Sequence, residues 1–358
     1  MTQSILNEET KVKVFSHNDL DGIGCGIVAK LAFPDAHVTY CGYNNIDEKV
    51  KEFIETEAYK SYDQVFITDI SVNKEVEELI NATIAVDPYT SIKLLDHHAT
   101  ATHLNENFWA LVAPRGIHGK NSGTNMLYEF LVTNGFLKGY IYSDPLEIFV
   151  EKIRRYDSWE WKEDYDDTEA SSLNDLLWLL GHKNFEKTYL KRLRYLKHGI
   201  VSCGSWVGMF SDADKAVLNV DHDKKANYID RKEKQMIIGR LVGKNVGYVF
   251  AEQYISELGN ALSERHEELD FIVIIDMGSK KVSYRTVKDN IDLGKDVASH
   301  FGGGGHPKAS GSQLDTDAVK MTIPMLFGSK KLVKQLVQLI TRKGFIGKIG
   351  KLVDKLTK

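Results

Sequence analysis

Three short apolar runs in the first hundred residues each end on a cluster of carboxylate and imidazole side chains. Lys11–Ser16 (KVKVFS) leads into His17-Asn18-Asp19-Leu20-Asp21-Gly22. Gln64–Thr68 (QVFIT) leads into Asp69-Ile70-Ser71, and Ser91–Leu95 (SIKLL) into Asp96-His97-His98. Runs of this length and composition predict buried strands. Helical patterns over Gly22–Leu31, Asp47–Thr56 and Lys74–Ile80 separate them, with a further β-like run at His37–Cys41. Strand–helix alternation predicts an α/β fold whose N-terminal part is a doubly wound, mostly parallel sheet. Such sheets bind ligands beyond the carboxyl ends of their strands, where all three clusters fall.

The rest of the chain is organised differently. From Ser122 to about Gly199 the pattern is helical, and strand-like runs return at Val246–Ala251, Phe271–Asp276 and Lys281–Thr286. Helices are expected near Lys225–Leu241, Ser256–Arg265 and Leu293–His300. The expected organisation is a catalytic domain over 1–165, a helical connector over 166–214, a smaller α/β domain over 215–318 and a basic extension over 319–358. A length of 358 residues suits two or three domains.

Charge needs to be read by segment. The net charge of −4 argues against a polyanion binder. Yet 320–358 holds ten Lys+Arg against the single acid Asp354, so the rest is strongly acidic. Within the extension, Leu332, Val333, Leu336, Val337 and Ile340 share one helical face behind a Ser329 cap. Docking on the body, nucleic-acid contact and membrane-surface attachment all fit that pattern. Cys25, Cys41 and Cys203 stand far apart, so a disulfide framework is not expected and a cytoplasmic setting is. The sequence shows neither a signal peptide nor a membrane span.

Each polar cluster alone has a plain reading. Asp69 could cap a helix, and His17-Asn18-Asp19-Leu20-Asp21 could be a solvated loop. Together, at the ends of three parallel strands, they point to a hard-metal site. Alternate residues of an extended segment share a side, so His17, Asp19 and Asp21 can enter one cleft if that segment stays extended. Carboxylate and imidazole donors without thiolate suit Mn²⁺, Mg²⁺ or Zn²⁺. Two such ions about 3.5–4 Å apart form the usual clamp for phosphoryl transfer.

HNDLDG, TDIS and DHH in this order, with GGGGHPKASG at Gly302–Gly311, resemble the DHH phosphoesterase superfamily and its accessory domain, DHHA1. The resemblance spans about residues 11–315. Tyr156–Trp161 (YDSWEW) and the compact two-domain layout resemble its oligoribonucleases of the nano-RNase B type. The resemblance implies two divalent ions, Mn²⁺ being the first expectation and Mg²⁺ or Co²⁺ the alternatives. His17, Asp19 and Asp69 would hold one; Asp21, Asp69, His97 and Asp157 would hold the other, with Asp69 bridging. Asp164, Asp166 and Asp167 are alternatives to Asp157. His98 would approach the substrate phosphate, and Asp96 would orient a ligand histidine.

The glycine run admits close approach of backbone to a ligand, and successive N–H groups can form an anion nest. A flexible loop is the plain alternative. The resemblance implies that Gly303, Gly304, Gly305, His306 and Lys308, with Arg285 of Ser283-Tyr284-Arg285, bind the substrate. Trp159 and Trp161 could stack on a base or simply pack inside. The expected activity is hydrolysis of short single-stranded oligonucleotides to mononucleotides, with RNA ahead of DNA. Alternatives are a small nucleotide substrate, such as a linear or cyclic dinucleotide or adenosine 3′,5′-bisphosphate, and a silent nucleotide-binding protein. No membrane partner is expected, and a homodimer is left open.

Overall fold

The structure, a computed structural model, describes residues 10–117, 119–137, 144–197 and 209–315. Cys203 and the basic extension with its Ser329 helix therefore lie outside the described residues. The chain divides into two compact units, Met1–Leu218 and Asn219–Lys358.

In the first unit, β1 (Val12–His17), α1 (Leu20–Ala32), β2 (His37–Cys41), α2 (Ile46–Glu55), β3 (Gln64–Thr68), α3 (Lys74–Val86), β4 (Ile92–Asp96) and β5 (Ala110–Val112) alternate. The strands form one sheet in the order β2-β1-β3-β4-β5, and every pairing is parallel. The period-two alternation of each strand feeds two cores. Val12, Val14, Phe66 and Leu95 pack on the α1 side, and Phe15, Val65, Ile67 and Leu94 on the side of α2 and α3. The strand order reverses between β1 and β3, which is where an open α/β sheet leaves a crevice.

A short hairpin follows, β6 (Arg115–Gly116) with β7 (Gly119–Lys120), and then, among the described residues up to 197, five helices. These are α4 (Gly123–Thr133), α5 (Asp144–Asp157), α6 (Glu160–Glu163), α7 (Thr168–Leu180) and α8 (His182–Lys197). The described part of the segment expected as a connector is largely helical, and its residues Leu173, Leu176, Leu177, Phe185 and Tyr189 are buried in the core beside α1. Their spacing on α7 and α8 gives each helix one apolar face, which the α1 side of the sheet covers.

The next helix, α9 (Asp212–Glu233), leads to β8 (Ile237–Leu241), β9 (Lys244–Phe250), α10 (Ile255–Arg265), β10 (Phe271–Asp276) and β11 (Lys281–Arg285). The chain ends its described course in β12 (Gly304–Gly305) and β13 (Ala309–Gln313). These strands form a sheet in the order β12-β13-β11-β10-β9-β8, in which β9 and β10 are parallel and the other pairs antiparallel.

Two expectations need correction here. The helix expected over Lys225–Leu241 stops at Glu233, and Ile237–Leu241 is a strand. The tight turn at Val242-Gly243, both at positive φ, folds this segment back on β9, and cross-strand pairing overrides helical periodicity. The helix expected over Leu293–His300 is a single π turn followed by a 3₁₀ turn. Among the described residues, no helix is long and apolar enough to cross a membrane. Cys25 and Cys41 are buried free thiols.

Candidate metal centre

The crevice at the strand reversal is built from four segments. His17 ends β1. Asp19 caps α1, its carboxylate accepting from the Gly22 backbone N–H at 3.1 Å. Asp21 lies in the first turn of that helix. The segment therefore does not stay extended, as the sequence reading required for its three polar residues to converge. The helix begins at once instead: a Cβ on Gly22 would sit 2.0 Å from the His17 carbonyl oxygen, so only glycine lets α1 start against the strand end.

Asp69 follows β3 with a left-handed backbone, φ 58°, and is 1% exposed. Its two carboxylate oxygens face different partners. Oδ2 lies 3.8 Å from His17 Nδ1, and Oδ1 lies 3.1 Å from His97 Nε2. Asp19 Oδ2 stands 2.7 Å from the same His17 nitrogen. Around His97 Nε2, Asp157 Oδ2 is at 3.3 Å and Asp21 Oδ2 at 3.8 Å. Three groups result, His17/Asp19/Asp69, Asp21/His97/Asp157 and Asp69/Asp96/His97/His98, with the donor atoms of each within 4.8 Å of one another. Asp69 touches the first two through its separate oxygens.

These residues fit divalent cations. Two donors each about 2.1 Å from one ion are at most about 4.2 Å apart, and the carboxylate oxygens quoted around His17 Nδ1 and His97 Nε2 are each within that distance of their imidazole nitrogen. Asp69 Oδ2 is buried and has no hydrogen-bond partner among the described residues, which is costly unless a ligand satisfies it. Burial, together with the charges of Asp21, Asp19 and Asp157, pushes the Asp69 carboxyl well above the usual carboxylate range. Burial and the charges of Asp21, Asp19 and Asp96 do the same to Asp157. A bound cation removes that repulsion.

The remaining site residues orient the donors. Helix α4 points its N-terminus at Asp21, whose carboxylate accepts from the Gly123 and Thr124 backbone N–H groups. Those two bonds fix the position of the Asp21 carboxylate. Asp96 is fully buried. Its Oδ1 accepts from His98 Nδ1 at 2.7 Å and from the His97 backbone N–H at 2.7 Å, while Ser71 donates to Oδ2. Burial raises the Asp96 carboxyl, but the hydrogen bonds from His98 and Ser71 outweigh it and hold it below its ordinary value. The hydrogen bond to Asp96 in turn raises the His98 imidazole. Asp96 thus orients His98, rather than a ligand histidine through its ring. Its contact to His97 is through the backbone.

Several participants went unnoticed in the sequence. Tyr43, 63% exposed, hydrogen-bonds His98 Nε2 at 3.2 Å, and its ring lies 5.0 Å from that of His17. It follows β2 by two residues, and that position at a strand end was its one sequence signal. Ser71 stands in the quoted TDIS motif. Arg154 and Glu160 form a buried ion pair at 2.5 Å that brackets Asp157 along the chain. Of the alternatives to Asp157, Asp167 is engaged with Lys152 and Arg155, while Asp164 and Asp166 are exposed. Trp159 is half exposed, and Trp161 stacks on Tyr156.

In the second unit, Arg285 donates to the Tyr284 carbonyl and to Ser256 Oγ, and it makes no ion pair among the described residues. The glycine run departs from a continuous nest. Gly302 and Gly303 donate their N–H groups to Ser299 and Ala298 carbonyls, and Gly304–Gly305 pair with β13. Gly302 and Gly304–Lys308 are exposed, and Lys308 pairs with Asp289 at 2.7 Å.

No family model matches the chain. Whole-chain comparison decides its family. Oligoribonuclease NrnB of Bacillus subtilis is 40% identical over 317 residues, covering 88% of this chain and 75% of that protein. The chain belongs to the DHH family of phosphoesterases. A 3′,5′-cyclic-nucleotide phosphodiesterase of Helicobacter pylori is 22% identical over 334 residues, covering 84% of this DHH chain and 92% of its own. The fold is shared with the exonuclease RecJ bound to manganese, at a TM-score of 0.50 and 12% identity, covering 87% of each chain. The pGpG-specific phosphodiesterase PggH of Vibrio cholerae also has a TM-score of 0.50 at 12% identity, covering 88% of this chain and 97% of its own.

One contact of this DHH site gives a direct test. A Cβ on Gly123 would lie 2.4 Å from Asp69 Cβ and 2.9 Å from its Cα. Neither neighbour is the end of a flexible side chain, so Gly123→Ala must push Asp69 out of place. Divalent-metal affinity is expected to fall about 10–100-fold, the usual scale for disturbing what supports a ligand. Thermal-shift titration with Mn²⁺ measures it; unchanged affinity contradicts the placement of Asp69.

Proposed function

We propose that the chain is an exoribonuclease that hydrolyses short oligoribonucleotides to mononucleotides with two divalent ions, Mn²⁺ first among them. The observation that carries this reading is Asp69, whose two carboxylate oxygens face two separate donor sets. The choice of short RNA rests on the likeness to the Bacillus subtilis oligoribonuclease over most of both chains. When bound, the ions supply positive charge that draws in the phosphodiester and makes a water acidic enough to attack it near neutral pH.

The chain's own residues do the rest. His17, Asp19 and Asp69 form one set of ligands, and Asp21, Asp69, His97 and Asp157 the other. Asp96 holds Nδ1 of His98, and Nε2 would exchange its contact with the Tyr43 hydroxyl for a phosphate oxygen, to polarise it or protonate the leaving group. Arg285, which makes no ion pair among the described residues, suits bidentate phosphate recognition. The exposed Gly304–Lys308 turn with His306 is the rest of the proposed substrate clamp. We assign the metal ligands to a domain over 1–165 and the clamp to one over 215–318. The free buried thiols suit a reducing, cytoplasmic setting.

A labelled RNA pentamer with Mn²⁺ tests the reading, and laddering down to mononucleotides is the expected result. No product with any divalent metal contradicts it. Hydrolysis of a small cyclic or linear nucleotide but not of the pentamer would instead favour the second reading, which the Helicobacter pylori phosphodiesterase supports.

A further inference from the structure

Beside the metal centre, and sharing two of its residues, lies a cleft of about 330 Å³. That is at the low end of the range for small-molecule sites, about 300–1,000 Å³. His97 and Asp157 line it, and so do two cations of the β6–β7 hairpin, Arg115 and Lys120. Their states differ. Lys120 Nζ donates to the Ser158 carbonyl at 3.0 Å and lies 3.6 Å from Glu163. Arg115 is exposed, its backbone pairs with Lys120, and its side chain has no hydrogen bond or ion pair among the described residues.

The hairpin is fixed to the turn that carries Asp157. Glu160 accepts from the Lys120 backbone N–H at 3.0 Å, and Arg154 donates to the Lys120 carbonyl at 2.8 Å. Arg154 and Glu160 are themselves a buried pair. The fixed backbone holds Arg115 at a set place relative to a metal ligand, which surface arginines on mobile loops lack. A guanidinium without a counter-ion, next to a phosphate-cleaving centre in an otherwise acidic body, suits a second anion.

We propose that Arg115 forms a subsite for the phosphate adjacent to the scissile one in an oligonucleotide. This rests on the proposed oligoribonuclease activity and specifies how the enzyme tells a chain from a single phosphodiester. ApA carries one phosphate and ApApA carries two, so only the trimer fills the subsite. In Arg115→Glu the ratio of kcat/KM for ApApA over ApA is expected to fall at least tenfold. Arg115→Lys, which keeps the charge, should recover most of it. A ratio unchanged in Arg115→Glu overturns the subsite.

Anisotropy of fluorescent ApApA without added metal gives a readout independent of turnover. Binding is expected to weaken at least tenfold in Arg115→Glu, and equal binding by both proteins, or none by either, overturns the proposal. A wild-type protein that binds the trimer but cleaves neither RNA sinks the activity and leaves the subsite to be judged by binding alone.

Discussion

Asp69→Asn is expected to lower turnover by about three orders of magnitude or more and, at the same time, to stabilise the metal-free protein. The first effect follows from its proposed bridging place. Loss of a shared ligand removes several kcal/mol of charge stabilisation, and each 1.36 kcal/mol is tenfold in rate. The second follows from electrostatics. Asp69 is buried among Asp19, Asp21 and Asp157, and its carboxyl is pushed well above the ordinary range. Asparagine keeps the shape, tolerates the positive φ and removes one charge from the cluster. Activity is exchanged for stability at this position.

The pH dependence has a definite sign. Asp69 and Asp157 both have raised folded-state pKa values, so the folded metal-free protein binds protons that the unfolded chain releases. Their contribution is fully present below the unfolded carboxyl pKa, about 3.9. It is lost as pH rises through the raised folded values. The metal-free protein should therefore lose stability from acid toward neutral pH, and added Mn²⁺ should restore more at the upper end. Melting curves across this range should be flatter for Asp69→Asn. A metal-free variant less stable than wild type at neutral pH contradicts the account.

Arg154→Ala is the second large effect. Arg154 is 2% exposed and donates to Glu160, to Glu151 at 2.7 and 2.8 Å, and to the Lys120 carbonyl. Breaking a buried pair by removing one partner costs about 3–5 kcal/mol. At about 2–4 °C per kcal/mol for a unit of this size, Tm should fall by roughly 6–20 °C. Glu160 is left buried with a single backbone donor, and the turn carrying Asp157 loses its tie to the hairpin. Arg154→Lys should recover little, because an ammonium cannot serve three acceptors in a planar fork. A Tm shift under about 3 °C would show that the clamp is not needed.

These two residues show what was legible in the sequence. Asp69 stands at the end of an apolar run, and strand ends on one edge of a parallel sheet must meet, so local pattern sufficed. His17, Asp96, His97 and His98 were visible in the same way. Asp157 sits in a helix about sixty residues downstream, so periodicity could not place it, and only the family resemblance did. Arg154, Glu160 and Tyr43 act through tertiary contacts between segments far apart in the chain, and no spacing rule reaches them. The strand Ile237–Leu241 was missed for a related reason: its partner is β9, and its turn uses Val242-Gly243 rather than a standard hairpin pair. The acidic excess read at first as repelling polyanions is in part the donor set itself.

The central claim is that Asp69 joins two metal sites. Native mass spectrometry of the protein titrated with Mn²⁺ tests it most directly. The account predicts two ions per chain in the wild type and at most one in Asp69→Asn. A single ion in the wild type, or two retained in the variant, would contradict it.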